Sequence, residues 1–295
     1  FDATRRVVFD PNEGSDQVSS WSIDGAGALG LLSKVSSQGE GPAFISLDRD
    51  RSFVLVSNFS GGTVASLSVK DDGAISDAFN LHTACNKPHA IRVSPEVDAV
   101  YVPCLADDRV ALYPYETTTG IISDPQTPTY LSVPAGAGPR HLDFHPTKPF
   151  AYVVNELGDS ITVAERTPQG PLFEIHTVST LPAGADADAN YCADIHVSPD
   201  GLFLYASNRG HDSIAIFSIH QQNGTLTPAG HQPTGGSWPR NFTIDPTGSI
   251  LLVANQMSDN VVTFRIDQQT GALSQLATTA TEGAPAFVGV MPAAN

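Results

Sequence analysis

The chain has 295 residues, 41% of them hydrophobic, which is ample material for a buried core. Its 31 Asp and Glu against 15 Lys and Arg give a net charge of −16, so its field repels a phosphate backbone and nucleic acid is excluded as a partner. No apolar run approaches the roughly 18 residues that span a bilayer, and no basic-plus-apolar leader opens the chain, so a membrane partner is not expected either.

The opening residues Phe1-Asp2-Ala3-Thr4-Arg5 align with Ile244-Asp245-Pro246-Thr247-Gly248, which places residue 1 near the end of an inner strand. Strands follow near Val7 to Phe9 and Val18 to Ile23. From Pro42 onward one unit recurs: a Pro-led apolar strand, a turn, a second strand ending in Asn, a short Gly/Asp loop and a third strand. It is clearest in Pro139-Arg140-His141-Leu142-Asp143-Phe144-His145-Pro146 followed by Ala151-Tyr152-Val153-Val154-Asn155-Glu156-Leu157-Gly158-Asp159-Ser160-Ile161. Pro42, Pro88, Pro139, Cys192, Pro239 and Pro285 hold the same repeat position, spaced by 46 to 53 residues. A period of that size filled with short strands is the signature of a β-propeller blade, so the expectation is an all-β single domain over residues 1–295 with six visible blade repeats. The last unit, Ala284 to Val290, supplies an inner strand with nothing after it. That strand, near Ala286 to Val290, is expected to complete the first blade and hide both sheet edges, closing a six-bladed ring. The alternative is a seven-bladed ring that draws its closing strands from residues ahead of Phe1.

Comparing repeat with repeat separates scaffold from chemistry. The consensus Asn (Asn12, Asn58, Asn155, Asn208, Asn255, with Cys104 in the odd blade) is expected to hold the loop through side-chain to backbone hydrogen bonds. Asp16, Asp108, Asp159, Asp212 and Asp259 form a matching turn set rather than catalytic carboxylates. The informative positions are those that vary in charge. The residue after the anchor is Ala43, His89, Arg140, Ala193, Arg240 and Ala286. Inner strands begin beside the channel, so His89, Arg140 and Arg240 are expected to face it. Buried arginines are costly unless paired, which implies an anionic ligand or carboxylate partners, with ordinary salt bridges between blades as the structural alternative. The residue after the consensus Asn is Glu13, Phe59, Leu105, Glu156, Arg209 and Gln256. Glu156 follows Arg140 by 16 residues, a separation that two antiparallel strands bring back to one end. Arg209 holds the same place one blade later. On the alternate face of the inner strands lie Arg92, His141, Asp143, Asp194, His196 and Thr243, too polar for a plain core and suited to hydrogen-bonded networks.

Three cysteines, Cys85, Cys104 and Cys192, are an odd number without a CxxC pair, so no metal site is expected and all three read as buried thiols. Triplets at Asn58, Asn223 and Asn241 fit the glycosylation pattern, but a Ser/Thr-rich chain produces such triplets by chance, and the cytoplasm is the default compartment. There is no nucleophile elbow, Walker loop, His-Glu-x-x-His or dinucleotide fingerprint, so no cofactor is called for.

The ordered motifs Gly138-Pro139-Arg140-His141, Val154-Asn155-Glu156-Leu157, Ala193-Asp194-Ile195-His196-Val197-Ser198-Pro199-Asp200-Gly201 and Pro239-Arg240 resemble the lactonase-type seven-bladed propellers, which include 6-phosphogluconolactonases and a carboxymuconate cyclase. The resemblance covers nearly the whole chain. It implies a metal-free pocket built from a His, arginines and a Glu, here His89, Arg140, Glu156 and Arg209 or Arg240. On that reading Glu156 or His89 is the general base and Arg140 the oxyanion partner. Arg209 and Arg240, with His141 and His196, contact a small anionic lactone or carboxylate. The expected function is lactone hydrolysis, with a lactone-forming cycloisomerase or a non-catalytic binding platform as alternatives. The sequence assigns no oligomeric state.

Overall fold

The core of each repeat forms around its second strand. Phe53–Asn58, Ala99–Cys104, Phe150–Asn155 and Phe203–Arg209 are buried along their whole length, because each is covered on both faces and paired on both edges. The computed structural model describes residues 1–291, apart from the side chains of 77–79. The chain groups into two compact units, Phe1–Ser132 with Pro168–Pro171 and Met291, and Val133–Thr167 with Leu172–Val290.

In the first unit, one sheet orders Val7–Asn12, Gln17–Ile23 and Leu29–Ser36, and the next orders Pro42–Leu47, Phe53–Asn58, Thr63–Val69 and Ile75–Thr83. The third sheet is irregular. Its inner strand is reduced to Arg92–Val93, followed by Ala99–Cys104 and Arg109–Glu116, and the last of these pairs with both Ile121–Ile122 and Thr129–Ser132. The second unit holds three regular four-stranded antiparallel sheets. They are Pro139–Phe144 to Leu172–Ser179, Tyr191–Val197 to Leu226–Pro233, and Pro239–Ile244 to Leu273–Ala280. These six sheets are the six blade repeats, each running as an up-and-down meander. Backbone hydrogen bonds between Asp2 and Val7 (2.7 and 3.0 Å) match the bond from Asp245 to Ile250 (2.9 Å). The opening residues therefore occupy the turn expected from the alignment.

Two features were not legible in the repeat. Each complete sheet has a fourth, outer strand; Leu273–Ala280 is exposed at nearly every position, so it carries almost no hydrophobic pattern to read. The strand expected near Ala286 to Val290 does not form, and the first sheet has three strands. Gly289 weakens a ladder, and Val288 N–H donates instead to Asn241 Oδ1 at 2.8 Å.

Blades pack face to face through apolar clusters. One joins Tyr152, Val154 and Ile161 to Ile195, Leu204 and Phe217, and another joins Tyr205 and Ile214 to Phe242, Val253 and Phe264. The buried tyrosines need a partner for their hydroxyls. Tyr152 donates to the Gly224 carbonyl at 3.2 Å and Tyr205 to that of Gly271 at 3.0 Å, each reaching the outer hairpin of the following sheet. Gly224 has φ +70° and lies flat on Phe150, where a Cβ would come within 2.6 Å of the ring.

The consensus Asn residues bind the crossover loops. Asn58, Asn208 and Asn255 Nδ2 donate to the carbonyls of Ser37, Thr180 and Thr234 at 3.2, 3.0 and 3.2 Å. The five turn aspartates all sit in the left-handed region, with φ from 45 to 54°, where Asp is among the few side chains tolerated. In the irregular third sheet the Asn is replaced by Cys104, and here the expectation of free thiols is corrected. Cys104 is joined by a disulfide to Cys85, in the crossover that leads into that sheet, with Cα atoms 5.8 Å apart. A covalent bond does the work that a hydrogen bond does elsewhere. Only Cys192 is a free thiol, buried, with its pKa pushed up to about 12 by desolvation. Among the described residues no helix is long and apolar enough to cross a membrane.

Candidate functional site

The residue after the anchor is special because it is the extra residue of a β-bulge. The register shifts between Pro42 and Phe44, Pro139 and His141, Cys192 and Ile195, and Pro239 and Asn241. Ala43, Arg140 and Arg240 are thus each left out of the ladder, and the fifth sheet leaves out Ala193 and Asp194. A bulged residue is freed from the alternation of the strand and can be re-aimed. The residue after the consensus Asn is held beside it: Glu156 N–H donates to the Gly138 carbonyl at 2.7 Å and Gln256 N–H to that of Trp238 at 3.0 Å. This is the physical reason that Arg140 and Glu156 meet.

Arg140 is 2% exposed, and its Nε lies 3.1 Å from Glu156 Oε2, an ion pair that is not aligned as a hydrogen bond. The other carboxylate oxygen, Oε1, lies 3.0 Å from Arg209 Nη2. Glu156 therefore sits between two buried guanidinium groups. Each is fixed by backbone carbonyls: Arg140 Nη1 donates to that of Ala193, Arg209 Nη2 to that of Cys192 at 2.9 Å, and Arg209 Nε to that of Tyr191 at 3.3 Å. Burial, with repulsion from Arg209 and Arg240, pulls the Arg140 pKa down to about 9, against the attraction of Glu156. The group is still a cation at neutral pH, held in a crowd of cations.

Beside it Asp194 gathers a second network. Its Oδ1 accepts from His141 Nδ1 at 2.8 Å and from Ile195 N–H at 3.0 Å. Its Oδ2 accepts from Asn241 Nδ2 at 2.6 Å, His196 Nε2 at 3.1 Å and Phe242 N–H at 3.3 Å. Burial would raise the Asp194 pKa, but His196, His141 and their hydrogen bonds hold it well below the ordinary value. His141 is pulled down to about 4 by desolvation and by Arg140. With Nδ1–H given to Asp194, its Nε2 accepts from Arg140 Nη1 at 3.2 Å. The two networks are thereby one.

The second unit thus brings together Arg140, Glu156, Arg209, His141 and His196, with Arg240 close enough to depress Arg140. His89 belongs to the first unit and has a setting of its own: it is buried, its backbone N–H donates to the Pro103 carbonyl at 3.0 Å, and its ring meets Phe59 edge-on at 5.3 Å. The repeat comparison did not single out Asn241, or the two rings that flank the Arg209 guanidinium, Tyr191 at 6.0 Å and Trp238 at 5.4 Å. For Trp238 a signal was present, since it stands where the second and fourth sheets have Gly41 and Gly138. In the first unit Cys85, Cys104 and Asp107 lie within ligand distance of one another, but both sulfurs are spent in the disulfide.

The family described as "Lactonase, 7-bladed beta-propeller" matches residues 1–290. The chain is 36% identical over 230 residues to the 6-phosphogluconolactonase of Pectobacterium carotovorum, covering 78% of this chain and 68% of that protein. It is 34% identical over 245 residues to the Bacillus subtilis enzyme of the same name, covering 79% and 68%. The solved structure of a periplasmic gluconolactonase from Pseudomonas aeruginosa superposes with a TM-score of 0.88 at 28% identity, over 97% of this chain and 85% of that one. With its six blade sheets, its bulged inner strands and a match across nearly its full length, the chain belongs to the lactonase family of seven-bladed β-propellers.

Proposed function

We propose that the protein is a lactone hydrolase of the 6-phosphogluconolactonase type, and that Arg140, Glu156 and Arg209 carry the chemistry. The observation that carries this reading is the Glu156 carboxylate held between two buried guanidinium groups, in a family whose relatives named above are gluconolactonases. A carboxylate offers about four acceptor sites, and one guanidinium on each oxygen leaves lone pairs for a water. Glu156 takes a proton from that water as its oxygen attacks the lactone carbonyl. Arg140 and Arg209 meet the oxyanion that develops. Collapse of the tetrahedral intermediate breaks the ring C–O bond, and the leaving alkoxide recovers the proton from Glu156, so water and lactone become a hydroxy acid. Arg240 is assigned to the anionic substituent of the substrate, which needs a local cation because the whole chain is acidic, with His196 beside it as a hydrogen-bond partner. His141 stays neutral and fixes Arg140.

The Cys85–Cys104 bond supports an oxidising working compartment rather than the cytoplasmic default, since reducing compartments keep thiols free. The test of function is hydrolysis of 6-phosphogluconolactone above its spontaneous rate, with Arg140→Ala losing about 100-fold to 1,000-fold in kcat. An unchanged rate in the variant would overturn the assignment.

A further inference from the structure

Trp238 holds a backbone conformation that a bulky residue avoids. The residue before the anchor proline has positive φ in four sheets: 63° at Gly41, 55° at Lys87, 63° at Gly138 and 64° at Trp238. Glycine adopts this region without cost, and a large aromatic residue does so only when something else holds it there. The hydrogen bonds that fix this turn run through the backbone, from Trp238 N–H to Asp212 Oδ1 at 2.7 Å and from Gln256 N–H to the Trp238 carbonyl at 3.0 Å. A glycine would keep both. The indole is therefore not there for the turn.

The indole flanks the Arg209 guanidinium at 5.4 Å, with Tyr191 near the same guanidinium at 6.0 Å and the two rings 6.0 Å apart and tilted by 52°. Both aromatic residues are partly exposed, whereas the guanidinium between them is buried. Cation–π contact accounts for the inner part of the pair. The exposed part is an apolar wall at the edge of an otherwise charged site, of the kind against which the C–H face of a sugar ring packs. We propose that Trp238 is a substrate-positioning residue, which keeps Arg209 aligned on Glu156 and presents its indole to the ring of an anionic aldonolactone. The inference rests on the lactonase reading, which it deepens by naming the ring and not only the anion as recognised.

Trp238→Gly and Trp238→Phe are the variants, read by kcat/KM on 6-phosphogluconolactone and by melting temperature. Trp238→Gly should lose tenfold or more in kcat/KM while melting no lower than the parent, and Trp238→Phe should keep most of the activity. A merely structural tryptophan would do the reverse, lowering the melting point and leaving kcat/KM within twofold, and that result overturns the proposal. A second arm does not depend on catalysis. The chain has two tryptophans, so in a Trp21→Phe background Trp238 is the sole indole reporter. Its emission should respond to 6-phosphogluconate and gluconate but not to inorganic phosphate, and no response to either sugar acid overturns the proposal even if a Trp238 variant fails to fold. Absence of lactonase activity in the parent protein, with the fluorescence response intact, would instead sink the functional reading and leave sugar-acid recognition by Trp238 standing.

Discussion

Replacing the disulfide by the side chain it displaced gives a quantitative test of how the blades are tied together. Cys85 and Cys104 are separated by 19 residues, and the loop-closure relation assigns such a cross-link about 3 kcal/mol. With an unfolding entropy of about 2.1 cal/mol/K per residue, Cys85→Ala with Cys104→Ala should lower the melting temperature by about 5 °C. Cys104 stands where Asn58, Asn208 and Asn255 donate to the crossover carbonyls. Cys104→Asn in the Cys85→Ala background should therefore restore about 1 kcal/mol, the net worth of a neutral hydrogen bond. Calorimetry on the two double variants, and on the parent with and without a phosphine reductant, reads the three levels directly. If the Asn variant melts no higher than the Ala variant, the two positions are not equivalent. A parent melting point indifferent to reduction would show that the bond does not hold the crossover.

Glu156→Gln keeps the shape but removes the base and should cost about 100-fold to 10,000-fold in kcat, and it should also lower the melting point because two buried guanidinium groups lose their counter-charge. Arg209→Lys should recover little of what Arg209→Ala loses, because a point charge cannot serve the Glu156 carboxylate and two carbonyls together. For pH, His141 titrates at about 4 in the folded chain against about 6.5 unfolded, so between those values the unfolded state binds the extra proton. Stability contributed by neutral His141 is full above pH 6.5 and is lost as pH falls toward 4, by an amount on the order of 3 kcal/mol. The Asp194 contribution adds to the loss below the ordinary carboxylate value. Urea titrations of the parent and His141→Gln should diverge over that window, and parallel curves would contradict it. Gly224→Ala should destabilise by about 1–2 kcal/mol from its positive φ, with the Phe150 contact adding to the loss, as read by urea midpoint.

Periodicity exposes the blades because every repeat solves one problem, a buried second strand between two partners, with the same residues. That is why the Asn and Asp sets stand apart as scaffold and why departures at two positions point to His89, Arg140, Glu156, Arg209 and Arg240, of which the second unit brings Arg140, Glu156 and Arg209 within 3.1 Å contacts. The outer strands escaped notice because solvent-facing residues carry no pattern, and the segment near Ala286 to Val290 looked like a strand because its apolar residues match the inner-strand template. The disulfide was missed for a different reason. Spacing along the chain says nothing of distance in space, and Cys85 meets Cys104 only once the crossover returns to the end of its neighbouring strand.

The sequence by itself determined the all-β class, the blade period and the residue types available for chemistry, since these follow from local pattern and composition, while the family followed from the resemblance of its ordered motifs. Tertiary structure decided how those residues are used. The bulge after each anchor turns Arg140 out of its ladder, Glu156 is captured between two guanidinium groups from neighbouring blades, and Asp194 binds His141, His196 and Asn241 into one network. Each of these depends on backbone register and on side chains arriving from different sheets, and neither is written in the order of the residues along one strand.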